Sequence, residues 1–263
     1  MSNDASSIAA QRRLLMSLGF GFLEEPWVPA EPVAEAPTPR AQVREAAPVR
    51  RVAAPQAAPS AKALGALSET PAMGAEERRR ALEELAAGVR GCKLCDLHYS
   101  RRTAVSGAGH ESARLMMIGE FPLPEDDQEG RPFLGEIGEM LTKMVAAMKL
   151  KSEDVYLTHA VKCRATGGRP VQAGEISSCA PHLAREIDII RPQAIVCFGS
   201  AALESLLPHT GGEGHSMNRG RWLNYRGIAV MPTYALTYIH RKNERKRVVW
   251  EDMQKVMEML GGA

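Results

Sequence analysis

The chain has 263 residues, a formal net charge of +2 at neutral pH and five cysteines. The near-balance of charge excludes a histone-like polycation, although it leaves room for a local basic patch. Five cysteines in a chain of this length exclude a disulfide scaffold, and no run of about 18 apolar residues is present that could span a membrane. The length suffices for one domain with a buried core, alone or with a tail.

The first part of the chain predicts a short helix followed by a linker. Residues 1–23 contain the apolar spacing of an amphipathic helix, which we expect to dock on the chain's own core or on a protein partner. Nine of the 17 prolines then lie between Pro26 and Pro71. A segment of this composition buries too little apolar surface to offset its chain entropy, so 24–74 is predicted to be a disordered linker.

From residue 75 onward the pattern is regular and predicts one α/β domain over 75–263. Short apolar runs indicate strands at 115–118, 155–157, 194–198 and 228–231. Helical spacing indicates helices at 75–90, 137–148, 176–190, 201–207 and 247–260. Apolar strands alternating with helices predict a central four-stranded, mainly parallel sheet that is covered on both faces. Ligands bind at the carboxyl ends of such strands, so we expect the functional residues in the segments that follow them.

Four of the five cysteines are candidate metal ligands. Cys92 and Cys95 form a C-x-x-C, which at the end of a helix points two thiolates at one metal, and Cys163 and Cys179 are separated by 15 residues. Zinc modules usually present their ligands in two short pairs, so the wide second pair favours an iron–sulfur cluster. Zinc, or four unrelated core thiols, are the alternatives. Cys197 lies within an apolar run and is expected to be ordinary core.

The order of the motifs resembles that of the iron–sulfur, family 4-type uracil-DNA glycosylases. After the C-x-x-C come GEFPLPEDDQEGRPFLG, VYLTHAVKCR, the fourth cysteine, IVCFGSAA and PTYALTYIHR, over roughly residues 78–260. The resemblance implies a three-layer α/β/α fold of the uracil-DNA glycosylase type. It also implies a [4Fe-4S] cluster of mainly structural role, with zinc as the less favoured alternative. The implied cluster ligands are Cys92, Cys95, Cys163 and Cys179.

The resemblance further implies an enzyme that flips a deaminated base out of DNA and hydrolyses its N-glycosidic bond. The implied catalytic residues are Glu120, Asp126 and His159, and the implied base-contacting residues are Phe133, Phe121 and Ala235. Glu120 would position water or the sugar, and Phe133 would stack on the flipped base. A purely structural role is the alternative for each residue. Glu120 would then cap a turn with its carboxylate, and Phe133 would pack in the core.

Several departures from the family motifs bear on catalysis. His159 stands where the family has an Asn that accepts from N3–H of uracil and donates to O4, and an imidazole cannot supply the same pair of hydrogen bonds. It could instead donate to a carbonyl oxygen, act as an acid, or face the cluster or solvent. Ala235 stands where the family has the His that stabilises the leaving uracil. Phe121 and Leu123 replace small residues and should narrow the pocket. The alternative function is therefore a catalytically silent member that binds DNA or a lesion.

A basic stretch follows the last motif and predicts contact with DNA phosphates. Residues 240–247 hold five Lys or Arg against one Glu, although a solvated helix N-terminus is the alternative interpretation. The predicted DNA-contacting residues are Arg241, Lys242, Arg245, Lys246 and Arg219. We expect a monomer with DNA as its partner and no contact with a membrane. Because a cluster needs reduced thiols, we expect a cytoplasmic location.

Overall fold

A computed structural model of the chain describes residues 73–208 and 217–261. The predicted helix within 1–23 lies outside these residues, as does the predicted linker apart from its last two positions. The first described helix begins at Ala75, where the sequence predicts the domain to begin. Within the two described stretches, no helix combines the length and the apolar character needed to cross a bilayer.

A six-stranded sheet forms the centre of the fold, in the strand order β1-β3-β2-β4-β6-β5. The strands are β1 Ala108–Gly109, β2 Leu115–Gly119, β3 Val155–His159, β4 Ala194–Phe198, β5 Leu223–Tyr225 and β6 Ile228–Thr233. The inner strands β3, β2, β4 and β6 pair in parallel, whereas β1 and β5 are antiparallel edge strands. The inner four are those that the sequence predicts, because strands buried on both faces appear as continuous apolar runs.

The predicted number of four strands is wrong, because the two edge strands complete the sheet. β1 has two residues and β5 has three, and both are partly exposed, so neither contains an apolar run. In β1, Gly109 has a φ of +142°, and a Cβ at this position would collide with the backbone of Val155 in β3. Both edge strands therefore depend on the neighbouring strand more than on their own sequence.

The helices are α1 Ala75–Arg90, α2 Pro124–Glu129, α3 Gly135–Ala147, α4 Ala173–Ile190, α5 Ser200–Leu206, α6 Leu236–Arg241 and α7 Lys246–Met259. Short 3-10 turns occupy Asp96–Tyr99, Ser152–Asp154, Thr166–Gly168 and Asn243–Arg245. Five of these helices, α1, α3, α4, α5 and α7, correspond to the predicted ones. Helices α2 and α6 are not predicted, because six residues are too few to show a helical period.

The helices cover both faces of the sheet, which confirms the three-layer α/β/α prediction. Strand β2 shows the division, because its successive side chains point to opposite faces. Leu115 and Met117 pack with residues of α3 and α7 on one face. Met116 and Ile118 pack with residues of α4 and α5 on the other.

The inner strands end at one common edge of the sheet. In register, Gly119 at the end of β2 pairs with His159 at the end of β3. Phe198 at the end of β4 likewise pairs with Thr233 at the end of β6. The segments that follow these strands therefore meet at the edge where α/β sheets place their ligands.

Candidate functional site

A pocket of about 350 Å³, measured with its open mouth, lies at this edge of the sheet. We call it the strand-end pocket. Its lining residues are Gly119, Glu120, Phe121, Leu123, Phe133, Ile137, His159, Phe198, Ala235, Leu236 and Thr237. Five of the six predicted catalytic and base-contacting residues are among them, and Asp126 is not. The pocket thus lies where an open α/β sheet binds its ligand.

His159 contributes a buried imidazole to the wall of the strand-end pocket. Its side chain is 3% exposed, and its Nε2 lies 3.3 Å from Oδ2 of Asp126. The same carboxylate accepts hydrogen bonds from the backbone N–H of Leu123 at 3.0 Å and of Leu134 at 2.7 Å. Asp126 therefore lies behind His159 and orients its ring, rather than facing the pocket.

The ionisation of this pair follows from burial and hydrogen bonding. Burial lowers the pKa of His159 by more than the nearby carboxylate raises it, so the ring is neutral at neutral pH. Burial opposes ionisation of Asp126, but its hydrogen bonds outweigh burial and the pKa of this carboxyl is lowered. A neutral imidazole that donates to a carboxylate through Nε2 has an unprotonated Nδ1. This Nδ1 is buried and has no hydrogen-bond partner among the described residues.

Phe133 packs against His159 and has an unusual backbone conformation. The two ring centroids are 4.4 Å apart, with the planes tilted by 41°. Phe133 has a φ of +58°, which bulky residues rarely adopt outside functional sites. Gly138 of α3 makes room for it, because a Cβ there would collide with the Phe133 carbonyl. A Cβ at Gly119 would come within 2.8 Å of the Phe133 ring. The two glycines therefore allow this ring to reach the pocket.

Glu120 reaches the strand-end pocket from the turn after β2. Its Oε1 accepts hydrogen bonds from the backbone N–H of Ala201 at 3.1 Å and from Oγ of Ser200 at 3.4 Å. Burial raises the pKa of Glu120, and these hydrogen bonds act in the opposite direction. Gly199 has a φ of +99°, and a Cβ there would collide with the Glu120 side chain. The turn into α5 thus holds the carboxylate at the pocket wall.

The other walls of the strand-end pocket are mostly apolar. Phe121 and Leu123, which the sequence predicts to narrow the pocket, both line it. Ala235 lines it just before α6 and offers a methyl group, while Thr237 in the first turn of α6 brings a hydroxyl. Among the described lining residues, the polar side chains are those of Glu120, His159 and Thr237.

A second cavity, which we call the thiol cavity, begins just beyond the end of β3. All four candidate ligand cysteines line it, together with Arg101 and His182. None of the five cysteines, all within the described ranges, forms a disulfide. Cys197 is fully buried in β4 and packs in the core, as predicted.

Nitrogen atoms lie close to three of the four sulfur atoms of the thiol cavity, as they do around many metal-bound thiolates. Nη1 of Arg101 donates to Sγ of Cys163 at 3.0 Å, and the backbone N–H of Lys162 donates to Sγ of Cys179 at 3.2 Å. Nε2 of His182 lies 3.3 Å from Sγ of Cys92. Burial raises the pKa of Cys163, and it raises the pKa of Cys179 to about 12. Four thiols in one cavity with such donors fit a metal–thiolate group.

The four thiols line one cavity without being drawn together around a single point. In the described parts of the chain, no three His, Cys, Asp or Glu side chains are grouped closely enough to hold one metal ion.

Lys162 connects the thiol cavity to the strand-end pocket. Its side chain is 2% exposed, and its Nζ donates to Oε2 of Glu186 at 2.7 Å. The same ammonium donates to Oγ1 of Thr158 at 2.6 Å and to the carbonyl oxygen of His159 at 2.9 Å. One buried residue thus holds the backbone of His159 while its own N–H contacts Cys179.

The predicted DNA-contacting residues fall into two groups. Near the pocket, the end of α6 and the start of α7 carry Arg241, Lys242, Arg245 and Lys246, the first three exposed and the last partly exposed. The second group is Arg219, which is partly buried. Its Nη1 lies 3.0 Å from both carboxylate oxygens of Asp252. Its guanidinium also stacks over Tyr234, 5.5 Å from the ring centroid. Arg219 thus forms an ion pair with Asp252 and shares the Tyr234 ring with Arg245, whose guanidinium lies 5.8 Å from the same centroid.

Comparisons with known proteins agree with this geometry. A family model described as the uracil DNA glycosylase superfamily matches residues 106–254. The type-4 uracil-DNA glycosylase of Thermotoga maritima is 34% identical over 190 residues, which cover 70% of this chain and 96% of the relative. The chain belongs to the type-4 uracil-DNA glycosylase family. The enzymes of the same name from Sulfurisphaera tokodaii and Archaeoglobus fulgidus are 36% and 30% identical over 186 residues, covering 68% of this chain and 84% and 94% of the relatives.

The strand-end pocket of this type-4 family member includes residues that the sequence analysis does not single out. They are Ile137, Phe198 and Thr237. Phe198 is the last residue of β4, so the strand-end rule could have indicated it. Ile137 has an ordinary core pattern, which does not distinguish a pocket wall from an interior. Lys162 is missed as well, because a lysine between apolar residues and a cysteine gives no sign of its buried partner.

Proposed function

We propose that the chain is a DNA glycosylase that flips uracil, or another deaminated base, out of DNA and hydrolyses its N-glycosidic bond. The observation that carries the proposal is the strand-end pocket, whose wall combines Glu120, Phe133 and His159. Membership of the type-4 uracil-DNA glycosylase family supports uracil as the base and DNA as the partner. Neither the comparisons nor the geometry favours the catalytically silent alternative.

The pocket walls suit a base that has left the duplex. An apolar cavity excludes water from the base, and a flipped base gains stacking on an aromatic ring. Phe133 fits the stacking role, because Gly138 leaves room for its backbone and its ring contacts His159 at the pocket wall. Phe121 and Leu123 add bulk that would limit the size of the base.

Glu120 is the residue proposed to orient the attacking water molecule and to stabilise the charge on the sugar. Breaking the glycosidic bond leaves positive charge on the sugar, which a carboxylate stabilises while it orients the attacking water. Its hydrogen bonds to Ala201 and Ser200 fix one carboxylate oxygen and so hold the group in place. Because the ionised form is needed, the raised pKa of Glu120 makes this step sensitive to mildly acidic pH.

The strand-end pocket offers the leaving base fewer stabilising groups than it offers the sugar. A well-placed donor to a developing anion contributes about 3–4 kcal/mol, and Ala235 provides none. The Thr237 hydroxyl is the neutral donor that the pocket lining offers in this region. We therefore expect slow excision, and Ala235→His should raise the single-turnover rate on uracil-containing DNA by about 100-fold or more. Ala235→Leu, which adds bulk without a donor, is the matched control. Equal rates for the two variants would contradict the expectation.

We propose that Cys92, Cys95, Cys163 and Cys179 hold a [4Fe-4S] cluster. When bound, the cluster supplies a structural cross-link between the C-x-x-C loop, the segment after β3 and helix α4, and hydrolysis needs no redox step. The thiol cavity and its nitrogen donors support this ligand set. Zinc is the less well supported alternative.

The exposed basic residues near the pocket are proposed to bind DNA phosphates. Arg241 and Lys242 end the helix whose first turn lines the strand-end pocket, so phosphate contacts there would fix the DNA next to it. Arg245 and Lys246 extend the same surface. A monomeric state, a cytoplasmic location and a protein partner for the first 23 residues stay predictions.

The first test is base excision by the full-length, cluster-loaded protein in excess over DNA. Single- and double-stranded oligonucleotides carrying uracil, hypoxanthine or xanthine are incubated in parallel and then cleaved at abasic sites. We expect abasic product from uracil. Intact oligonucleotides in every sample, with DNA binding preserved, would contradict the proposed enzyme and favour the silent alternative.

A further inference from the structure

We infer that His182 donates a hydrogen bond from Nε2 to the thiolate of Cys92 and thereby slows the loss of the iron–sulfur cluster to oxidation. The inference rests on the proposed cluster, and it adds to the four ligands a residue that holds one of them in place. His182 is in this sense a positioning residue, because it contacts a ligand and not the metal.

Helix α4 brings His182 into the thiol cavity beside one of the ligands. Cys179 and His182 are three residues apart in α4, and residues at this spacing lie on the same face of a helix. Both line the thiol cavity, and Nε2 of His182 lies 3.3 Å from Sγ of Cys92. One helix therefore supplies a ligand and also reaches a second ligand, which comes from the C-x-x-C.

The chemistry of the two atoms sets the direction of this hydrogen bond. A cysteine that binds metal is deprotonated, so its sulfur can accept a hydrogen bond but has no proton to donate. The imidazole must then carry a proton on Nε2, as one of its two neutral tautomers does. Arg101 and the backbone N–H of Lys162 donate in the same way to Cys163 and Cys179. His182 extends this pattern to a third ligand.

The position of Cys92 explains why a donor matters there. Cys163 and Cys179 are 4% and 7% exposed, whereas Cys92 and Cys95 are both partly exposed. Water-soluble oxidants and chelators therefore reach the cavity from the side of the C-x-x-C. A hydrogen bond to a sulfur ligand withdraws electron density from it and raises the reduction potential of the cluster, which makes oxidation harder. His182 acts on the side where this protection is needed.

Two other roles for His182 predict different results. If the ring only packs against its neighbours, another ring such as phenylalanine can take its place. If the ring binds iron itself, it can keep a cluster in a chain that lacks Cys92. A donor, in contrast, can be replaced by a side chain that brings an N–H to the same sulfur.

The test follows loss of the cluster and does not depend on excision. The cluster-loaded full chain is mixed with ferricyanide, which takes one electron from the cluster, and with EDTA, which captures the iron that an oxidised cluster releases. The visible absorption band is followed with time at one pH and one salt concentration. His182→Phe keeps a ring without a donor. We expect its band to disappear about tenfold faster than that of the parent chain, because one hydrogen bond to a charged group is lost.

Three comparisons decide the assignment. His182→Gln has an amide whose N–H can reach the same sulfur, and we expect it to lose the band at close to the parental rate. His110→Phe, at an exposed histidine next to β1, is the matched control and should behave as the parent chain. Cys92→Ala and Cys92→Ala/His182→Phe should give the same spectrum, because His182 is not itself a ligand. Isolation of His182→Phe without iron, while His182→Gln retains its cluster, would support the same conclusion.

Three results would overturn the inference. His182→Phe could lose its band at the parental rate, which would mean that the contact with Cys92 does not protect the cluster. His182→Phe and His182→Gln could both lose it faster by the same factor, which would assign a packing role to the ring. A band in Cys92→Ala that the added His182→Phe removes would make His182 a ligand.

These results leave the proposed cluster standing, so the two proposals fail at different steps. A parent chain that holds no iron and shows no visible band would contradict the cluster and, with it, the role of His182.

Discussion

The strand-end pocket and the thiol cavity are close neighbours along the chain, yet they are built in different ways. The thiol cavity uses one residue type four times, and its first pair comes from a C-x-x-C that spans four residues. The strand-end pocket collects its residues from the ends of three strands, from the loops that follow β2 and α2, and from α3 and α6, and most of them are apolar. Repeated ligands can thus be recognised from their spacing alone, whereas the apolar part of a pocket wall becomes visible only when the strands are aligned.

Lys162 shows that the two sites are nevertheless coupled. It contacts His159 through its ammonium and Cys179 through its backbone N–H. A change in the thiol cavity can therefore move His159 in the strand-end pocket. The following predictions separate the contributions of the two sites, beginning with the largest effect.

Removing one cluster ligand should have the largest effect. Cys179→Ser replaces a buried thiol that would carry the metal, so we expect loss of the visible iron–sulfur absorption band and of most soluble folded protein. Cys197→Ala is the control, because this thiol packs in the core of β4 and should leave the band in place. A Cys179→Ser protein that keeps the full band would contradict the proposed ligand set.

The second-largest effect is expected when the buried ammonium of Lys162 is removed. Lys162→Met leaves Glu186 buried without its ion-pair partner, so we expect the free energy of unfolding to fall by about 3–5 kcal/mol in denaturant titrations. The double variant Lys162→Met/Glu186→Gln removes the stranded charge and should recover part of the loss. If the double variant is no more stable than the single one, the buried ion pair is not what holds the two sites together.

Glu120→Gln should affect catalysis more than folding. The amide can still accept the hydrogen bond from Ala201, but it cannot stabilise the sugar cation, so we expect single-turnover excision of uracil to slow by about 100-fold. For the parent chain the rate should fall as pH is lowered through the raised pKa of Glu120, at a higher pH than for an ordinary glutamate.

The pH profile supplies the control for this prediction. Glu120→Gln should lose the acidic limb of the profile, whereas Glu129→Gln, at an exposed position of α2, should keep it. An acidic limb that persists in Glu120→Gln would assign the titration to another group.

The smallest effect is expected on the basic surface. Lys242→Gln should weaken binding to any duplex by a few-fold and lower the slope of log affinity against log salt by about 1, because one phosphate contact is lost. Lys151→Gln is the control, because Lys151 precedes β3 at the opposite edge of the sheet. A slope unchanged by Lys242→Gln would place the DNA elsewhere.

Much of the fold could be predicted from local signals. The inner strands are continuous apolar runs and the long helices have clear periods, so their positions follow from burial alone. The edge strands β1 and β5 could not be predicted, because pairing with a neighbour creates them and their own residues are partly exposed. The helices α2 and α6 are too short to show a period.

The candidate site divides in the same way. The order of the motifs along the chain indicates Glu120, Phe133, His159 and the four cysteines. It also predicts Asp126 in the pocket, whereas the fold puts this carboxylate behind His159, because the turn into α2 directs it toward the backbone of Leu123 and Leu134. Arg219 is predicted to contact DNA, and the fold adds an ion pair with Asp252, 33 residues away in the chain, that the sequence does not show.

The sequence by itself determined the class of the domain, the family and the residue types available for chemistry, since these depend on composition, period and motif order. Only the tertiary structure decided which atoms of those residues remain available for hydrogen bonds to a ligand. Which nitrogen of His159 carries the proton depends on the carboxylate that meets Nε2, and this carboxylate comes from another segment of the chain. Hydrogen bonds between distant residues leave no trace in local spacing, and they decide the protonation and direction of each polar group.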